Sequence, residues 1–261
     1  MVIKQPFYYP PGKSDRTLHI YLPEGKGGRF PVMYFFDGHN LFFDSDATYG
    51  KSWGLKEFLD SWSKPMIVVG MECSHTGNQR LEEYLPYPAA GDNAGKLTAK
   101  GDETLDWLIT RVKPYIDGRF PTIPFRECTG IAGSSMGGLM AIRGVLGYNR
   151  WFSKAACLSS AIGFCPEGVF TDAAMAPISA NTRVYLSWGS REAWGSREAW
   201  GRQGPENRDD NSQSYRWNQG LAREIDRKGG TTLVYCQPDG GHCEADWKKQ
   251  VPQFMDFLWM R

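Results

Sequence analysis

The feature that most constrains the fold is a series of short apolar runs, several too continuous for strands with one wet face. "FPVMYFFDG" (30–38), "PMIVVGMEC" (65–73), "CTGIAG" (128–133), "FSKAACLSS" (152–160), "RVYLSWG" (183–189) and "TTLVYCQ" (231–237) read as strands. A strand that is apolar on both alternating faces has to be covered from both sides, as in a parallel sheet with helices above and below. The segments between supply those helices: 52–62, 102–117, 136–147, 212–230 and 243–260 carry the helical pattern. In 102–117, for example, Leu105, Leu108, Ile109 and Val112 share one face. "TLHIYLP" (17–23) alternates instead, with Leu18, Ile20 and Leu22 on one side and Thr17, His19 and Tyr21 on the other, which places His19 on the polar face of a strand. Residues 74–101, rich in Gly, Asn, Pro and Tyr, form a long loop of the kind that compact domains keep for function or movement. The alternation of strand and helix specifies the α/β class, and no linker divides the chain, so residues 1–261 are expected to form a single domain.

Charge narrows the function. Thirty Lys and Arg oppose 29 Asp and Glu, so there is no basic field to draw nucleic acid or an anionic membrane surface. No apolar stretch reaches the roughly 20 residues of a membrane span, and the N-terminal "MVIKQPFYYPPGKSDRTLHIYLPEG" has no signal-peptide apolar core, which together predict a cytoplasmic protein. The six cysteines (73, 128, 157, 165, 236 and 243) contain no CxxC pair and sit in or beside apolar runs, as reduced thiols do. The four histidines do not spell a metal motif: HExxH is absent, and His242 with Glu244 and Asp246 lacks a second imidazole, so no metal is expected.

Residues 133–137 read "GSSMG", a match to G-x-S-x-G centred on Ser135. Ser134 does not fit, because positions 132 and 136 are Ala and Met. The pentapeptide means little alone, but here a strand precedes it and a helix follows at once, the setting that holds a serine in a sharp turn above a sheet. The helix N-terminus behind it offers free N–H groups and a positive dipole end. A serine hydroxyl needs a base. In this arrangement the partners follow the serine in the order acid, then histidine, and only His242, in the glycine-rich "PDGGHCEADW", lies beyond Ser135.

Taken together, "VMYFFDGHNLF", "KPYIDGRFPT", "GIAGSSMGGLMA", "YLSWGSRE" and "GGHCEADW" resemble the putative-esterase family of α/β-hydrolases, relatives of which include feruloyl and acetylxylan esterases, enterochelin esterases and mycolyltransferases. The resemblance runs from about residue 17 to the end, and implies an α/β-hydrolase fold and a serine hydrolase of carboxylic esters that uses no cofactor. It carries the nucleophile onto Ser135 and the base onto His242. The acid is expected in the turn after "RVYLSW", where the chain repeats itself as "GSREAWGSREAWG" (189–201) and so offers Glu192 and Glu198. A six-residue duplication leaves the first copy at its old distance from the strand, and the imidazole is oriented by a carboxylate fixed at a strand end, so Glu192 is favoured over Glu198, with Asp209 and Asp210 as outside candidates. Two backbone N–H groups should form the oxyanion hole. One is that of Met136. The other comes from "DGHN", where many hydrolases carry His-Gly; here His39 follows the glycine, and the donor is assigned to His39 ahead of Asn40.

Tryptophan is abundant, at 10 residues, and Trp53 and Trp188, with Trp194, Trp200 and the segment 80–88, are candidates to frame a pocket for a small or sugar-linked ester. Two other functions remain open to the sequence: acyl transfer to an alcohol or sugar acceptor, and a catalytically silent hydrolase fold that binds glycans. The acyl group, the alcohol and the oligomeric state are not encoded legibly.

Overall fold

The computed structural model describes residues 1–25, 27–192 and 212–260. Among these, eight strands form one sheet: β1 (Val2–Tyr9), β2 (Ser14–Tyr21), β3 (Val32–Phe36), β4 (Ile67–Met71), β5 (Thr129–Ser134), β6 (Lys154–Leu158), β7 (Arg183–Gly189) and β8 (Thr231–Gln237). Their spatial order is β1-β2-β4-β3-β5-β6-β7-β8. β2 runs antiparallel to both its neighbours, and every pairing from β4 to β8 is parallel.

The apolar runs are buried on both faces because the two-residue period of a strand sends alternate side chains into two different cores. Val32, Tyr34 and Phe36 of β3, Ile67, Val69 and Met71 of β4, and Val184 and Leu186 of β7 enter one core. Met33, Phe35, Val68 and Tyr185 enter the other. The first core is closed by residues of α3 (Gly101–Trp107) and of α5 (Met136–Gly147), α6 (Pro166–Met175) and α7 (Gln213–Arg227). The second is closed by α1 (Leu55–Ser61) and α8 (Glu244–Trp259). A short α2 (Gln79–Glu83) interrupts the long loop, and α3 continues through one wide turn (Leu108–Val112) into α4 (Lys113–Arg119). No disulfide joins any of the six cysteines, and Cys73, Cys157 and Cys165 are buried.

Two features depart from the sequence reading. β1 was not evident as a separate strand; it pairs along its whole length with β2 and caps the sheet edge. And His19 does not stand on a polar face. It is 3% exposed. In register His19 faces Gly70 of β4, and the turn at Gly38–Asn40 packs down on the same spot, so close that a Cβ on Gly38 would fall 2.3 Å from the Gly70 carbonyl carbon. Alternation identified the face correctly, but not what would come to cover it.

Candidate active site

Ser135 sits between β5 and α5 with φ 56° and ψ −122°, a conformation that L-residues avoid. Such a backbone costs on the order of 1–3 kcal/mol and persists only where its surroundings fix it. Here they do. The Ser135 N–H donates to the Leu158 carbonyl (3.0 Å), and its own carbonyl accepts from the N–H groups of Ala161 (2.9 Å) and Leu139 (3.1 Å). The crossing of strand and helix is tight enough that a Cβ on Gly133 would lie 2.5 Å from the Gly137 carbonyl carbon, which is why the motif needs glycine there. Met136 is the first residue of α5, so its N–H has no acceptor within the helix.

His242 lies in the loop between β8 and α8, its ring edge-on to Trp247 with centroids 5.0 Å apart. Its Nδ1 is 3.5 Å from Oε2 of Glu192, a carboxylate whose side chain is almost wholly buried. The other oxygen, Oε1, accepts from the Ser159 hydroxyl (2.5 Å) and from the Gly189 N–H at the end of β7 (2.9 Å). Ser159 in turn accepts from Trp247 Nε1–H at 2.8 Å. Glu192 is therefore fixed from two strand ends, and the indole that holds its partner serine also packs on the histidine. Glu198, Asp209, Asp210, Trp194 and Trp200 lie outside the described residues.

The Gly38–Asn40 turn follows β3 and begins at Asp37, itself in the left-handed region with φ 56°. Arg80 clamps Asp37 through two hydrogen bonds, Nε to Oδ1 and Nη2 to Oδ2, each 2.7 Å. Burial alone would raise the Asp37 carboxyl; the Arg80 guanidinium outweighs it and holds the group below its usual range. The Asn40 N–H is already used, donating to the Asp37 carbonyl at 2.9 Å, which leaves His39 the better placed of the two sequence candidates for a free donor. Asn40 contributes its side chain instead: Nδ2 donates to Glu244 Oε1 (3.2 Å), and Oδ1 accepts from the Thr48 N–H (2.9 Å). The turn is thus tied to the first residue of α8, two positions beyond His242. Burial raises the Glu244 carboxyl, and the Asp37 charge adds to the shift.

Ser135, His242, His39, Asn40 and Trp247 line one cavity of about 650 Å³, which Lys51, His75 and Arg80 also line. That volume lies within the range of small-molecule sites. The two tryptophans named from sequence are elsewhere. Trp53 is 3% exposed and packs on Phe35, Trp247 and Phe254 in the second core. Trp188, also buried, meets Tyr215 edge-on. Neither lines this cavity among the described residues, a correction that burial accounts for: both indoles are consumed by packing. Arg80, the first residue of the segment 80–88 expected at the pocket, does line the cavity, whereas sequence reading missed Ser159, the Arg80–Asp37 clamp and the Asn40–Glu244 tie. None carries a local signal, since each matters only through a partner far along the chain.

A mostly parallel sheet with an antiparallel second strand, a strained serine at the strand–helix turn after β5 and a carboxylate–histidine pair beyond β7 and β8 define an α/β-hydrolase. Residues 12–257 match the family described as "Putative esterase", and the chain belongs to that family; it is an esterase. Over 185 residues it is 25% identical to the uncharacterized protein YbbA of Bacillus subtilis (strain 168), covering 69% of this chain and 70% of that protein. Among solved structures it is similar to the BES protein from Bacillus cereus, with TM-score 0.74 and 17% identity over 98% of this chain and 94% of the other. An IroE-like serine hydrolase from Shewanella oneidensis gives TM-score 0.72 and 17% identity over 99% and 79%. No helix among the described residues is long and apolar enough to cross a membrane.

Proposed function

We propose that the protein hydrolyses carboxylic esters through an acyl-enzyme on Ser135, with His242 as general base and Glu192 as the acid that orients it. The observation that carries this reading is the convergence on one cavity of a serine held at positive φ and a histidine whose Nδ1 faces a buried, doubly hydrogen-bonded carboxylate. Ser135 Oγ attacks the ester carbonyl carbon while His242 Nε2 takes its proton. Glu192 favours the tautomer with the proton on Nδ1 and stabilises the imidazolium that forms. The oxyanion is received by the backbone N–H groups of Met136 and His39, donors of a kind whose removal typically costs about 10²–10³ in turnover. Collapse of the tetrahedral adduct breaks the ester C–O bond, and His242 returns the proton to the leaving alcohol. Water then attacks the acyl-serine by the same route in reverse roles.

The substrate is a small or sugar-linked ester that fits the cavity, and the site works without a cofactor. The protein acts in the cytoplasm on soluble substrate, and the whole of residues 1–261 serves as one catalytic domain. The direct test is Ser135→Ala, assayed with p-nitrophenyl acetate and by fluorophosphonate labelling. Loss of both is expected; retention of most of the activity would overturn the assignment. Product analysis with added acceptor alcohols separates hydrolysis from acyl transfer.

A further inference from the structure

Three of the chain's four histidines lie near one carboxylate, Glu72, and two of them, His39 and His75, line this cavity. His39 comes from the turn after β3, Glu72 directly follows β4, His75 lies three residues further on, and His19 comes from β2. His39, Glu72 and His75 each present a ligand atom, all within 4.8 Å of one another. His75 Nε2 is 3.1 Å from Glu72 Oε1. The His39 and His75 rings meet edge-on with centroids 4.7 Å apart.

Two buried nitrogens in this cluster have no hydrogen-bond partner: His39 Nδ1 and His19 Nε2. Both residues are more than nine-tenths buried. An unpaired polar atom in such a place ordinarily costs about 1–3 kcal/mol, so its recurrence in one cluster asks for a ligand. The other ring nitrogen of His39 pairs with Thr48 Oγ1 at 2.9 Å. A proton on Nε2 donated there leaves the lone pair on Nδ1, and a hydrogen bond of this kind on the second ring nitrogen is what orients most metal-binding imidazoles. His19 Nε2 stands 3.9 Å from Glu72 Oε2 and flanks the carboxylate on its inner side.

We propose that His39, Glu72 and His75 bind a divalent first-row transition-metal cation, with zinc(II) the best fit, beside the esterase centre. Two imidazoles and a carboxylate suit zinc, cobalt, nickel or copper and not magnesium or calcium, which take oxygen ligands. Tetrahedral zinc with bonds of about 2.0–2.1 Å sets its ligand atoms about 3.3 Å apart. The cluster, whose ligand atoms lie within 4.8 Å of one another, needs to close by up to about 1.5 Å to reach that spacing, and His75, the exposed member, can supply movement. On binding, the proton of the His75 Nε2–Glu72 Oε1 contact passes to solvent or to Nδ1 of the same ring, so that Nε2 and Oε1 each offer a lone pair to the cation. Three protein ligands leave a position for water or for an anionic oxygen of a bound molecule, on the wall formed by His39 and His75. Glu72 sits here as ligand and His19 as the group that positions it.

This inference does not depend on the ester-cleavage reading, and its test needs no turnover. Chelator-stripped full-length protein is titrated with zinc(II) by calorimetry, and with cobalt(II) by visible absorption, whose intensity reports coordination geometry. One equivalent bound with micromolar or tighter affinity is expected, with a cobalt spectrum of four- or five-coordinate type. His75→Ala and Glu72→Gln should each weaken binding at least tenfold, and Cys243→Ser, on the neighbouring cavity wall, should not. His75 is exposed, so that variant tests the site without disturbing the core. No binding at millimolar metal, binding indifferent to His75→Ala, or binding abolished by Cys243→Ser would overturn the proposal.

Discussion

The two oxygens of Glu192 do different work: Oε2 faces Nδ1 of His242 at 3.5 Å, while Oε1 is held by the Ser159 hydroxyl and the Gly189 N–H. A carboxylate anchored by one oxygen keeps the other aimed, and aim is what an orienting acid has to supply. Glu192 belongs to the first copy of the duplicated "GSREAW" and lies three residues after the end of β7.

Glu192→Gln should lower kcat at least tenfold more than Glu198→Gln, measured with p-nitrophenyl acetate at neutral pH. An amide at 192 keeps the shape and removes the charge that stabilises the imidazolium. Equal, mild losses would mean that neither glutamate is the acid.

Ser135→Gly should inactivate the enzyme and stabilise the fold. The φ of 56° is strained for serine and accessible to glycine. Relief of about 1–3 kcal/mol, less the entropy that glycine adds to the unfolded chain, should raise the urea midpoint above that of Ser135→Ala. A Gly variant less stable than the Ala variant would mean the turn is not strained.

Arg80→Met should destabilise the protein by roughly 3 kcal/mol at neutral pH, because it leaves the Asp37 carboxylate buried without its partner. Asp37 is held below its ordinary value of 3.8, so its pairing stabilises the fold above that pH and the contribution is lost as pH falls through the lower, folded-state value. The stability gap between wild type and variant should therefore narrow in acid. A gap that is constant from pH 7 to about pH 3 would show that charge pairing is not its source.

Lys154 gives the opposite sign. Burial pushes its ammonium down from 10.5 to about 8, with Arg183 and Arg126 nearby adding to the shift against the raising influence of Cys128. Between those two values the unfolded chain binds more protons than the folded one, so this group makes stability rise with pH. Urea titrations at about pH 7.5 and pH 9.5 should show wild type gaining on Lys154→Met over that interval; parallel behaviour would mean the ammonium is as well solvated as in the open chain.

Much of the architecture is written locally. The both-faced apolar runs of β3, β4 and β7 required a covered parallel sheet, and β7 and β8 begin and end where their residue patterns do. The serine turn was legible because its requirements are local too: glycine for a close crossing, a strand before and a helix after. β1 was missed because its alternating, half-exposed text acquires meaning only by pairing with β2. The tryptophans misled because an indole is equally suited to line a pocket or to fill a core, and composition cannot distinguish the two.

The sequence by itself determined the class of fold, the strained serine and the histidine available to it, because strand period, helix period and turn chemistry act over a few residues. Tertiary structure alone decided how Glu192 is held against His242, which N–H in the Gly38–Asn40 turn is already spent, and that His19, His39 and His75 come together near Glu72. Those outcomes depend on side chains tens to hundreds of positions apart being brought within a few ångströms, and no local pattern carries that distance.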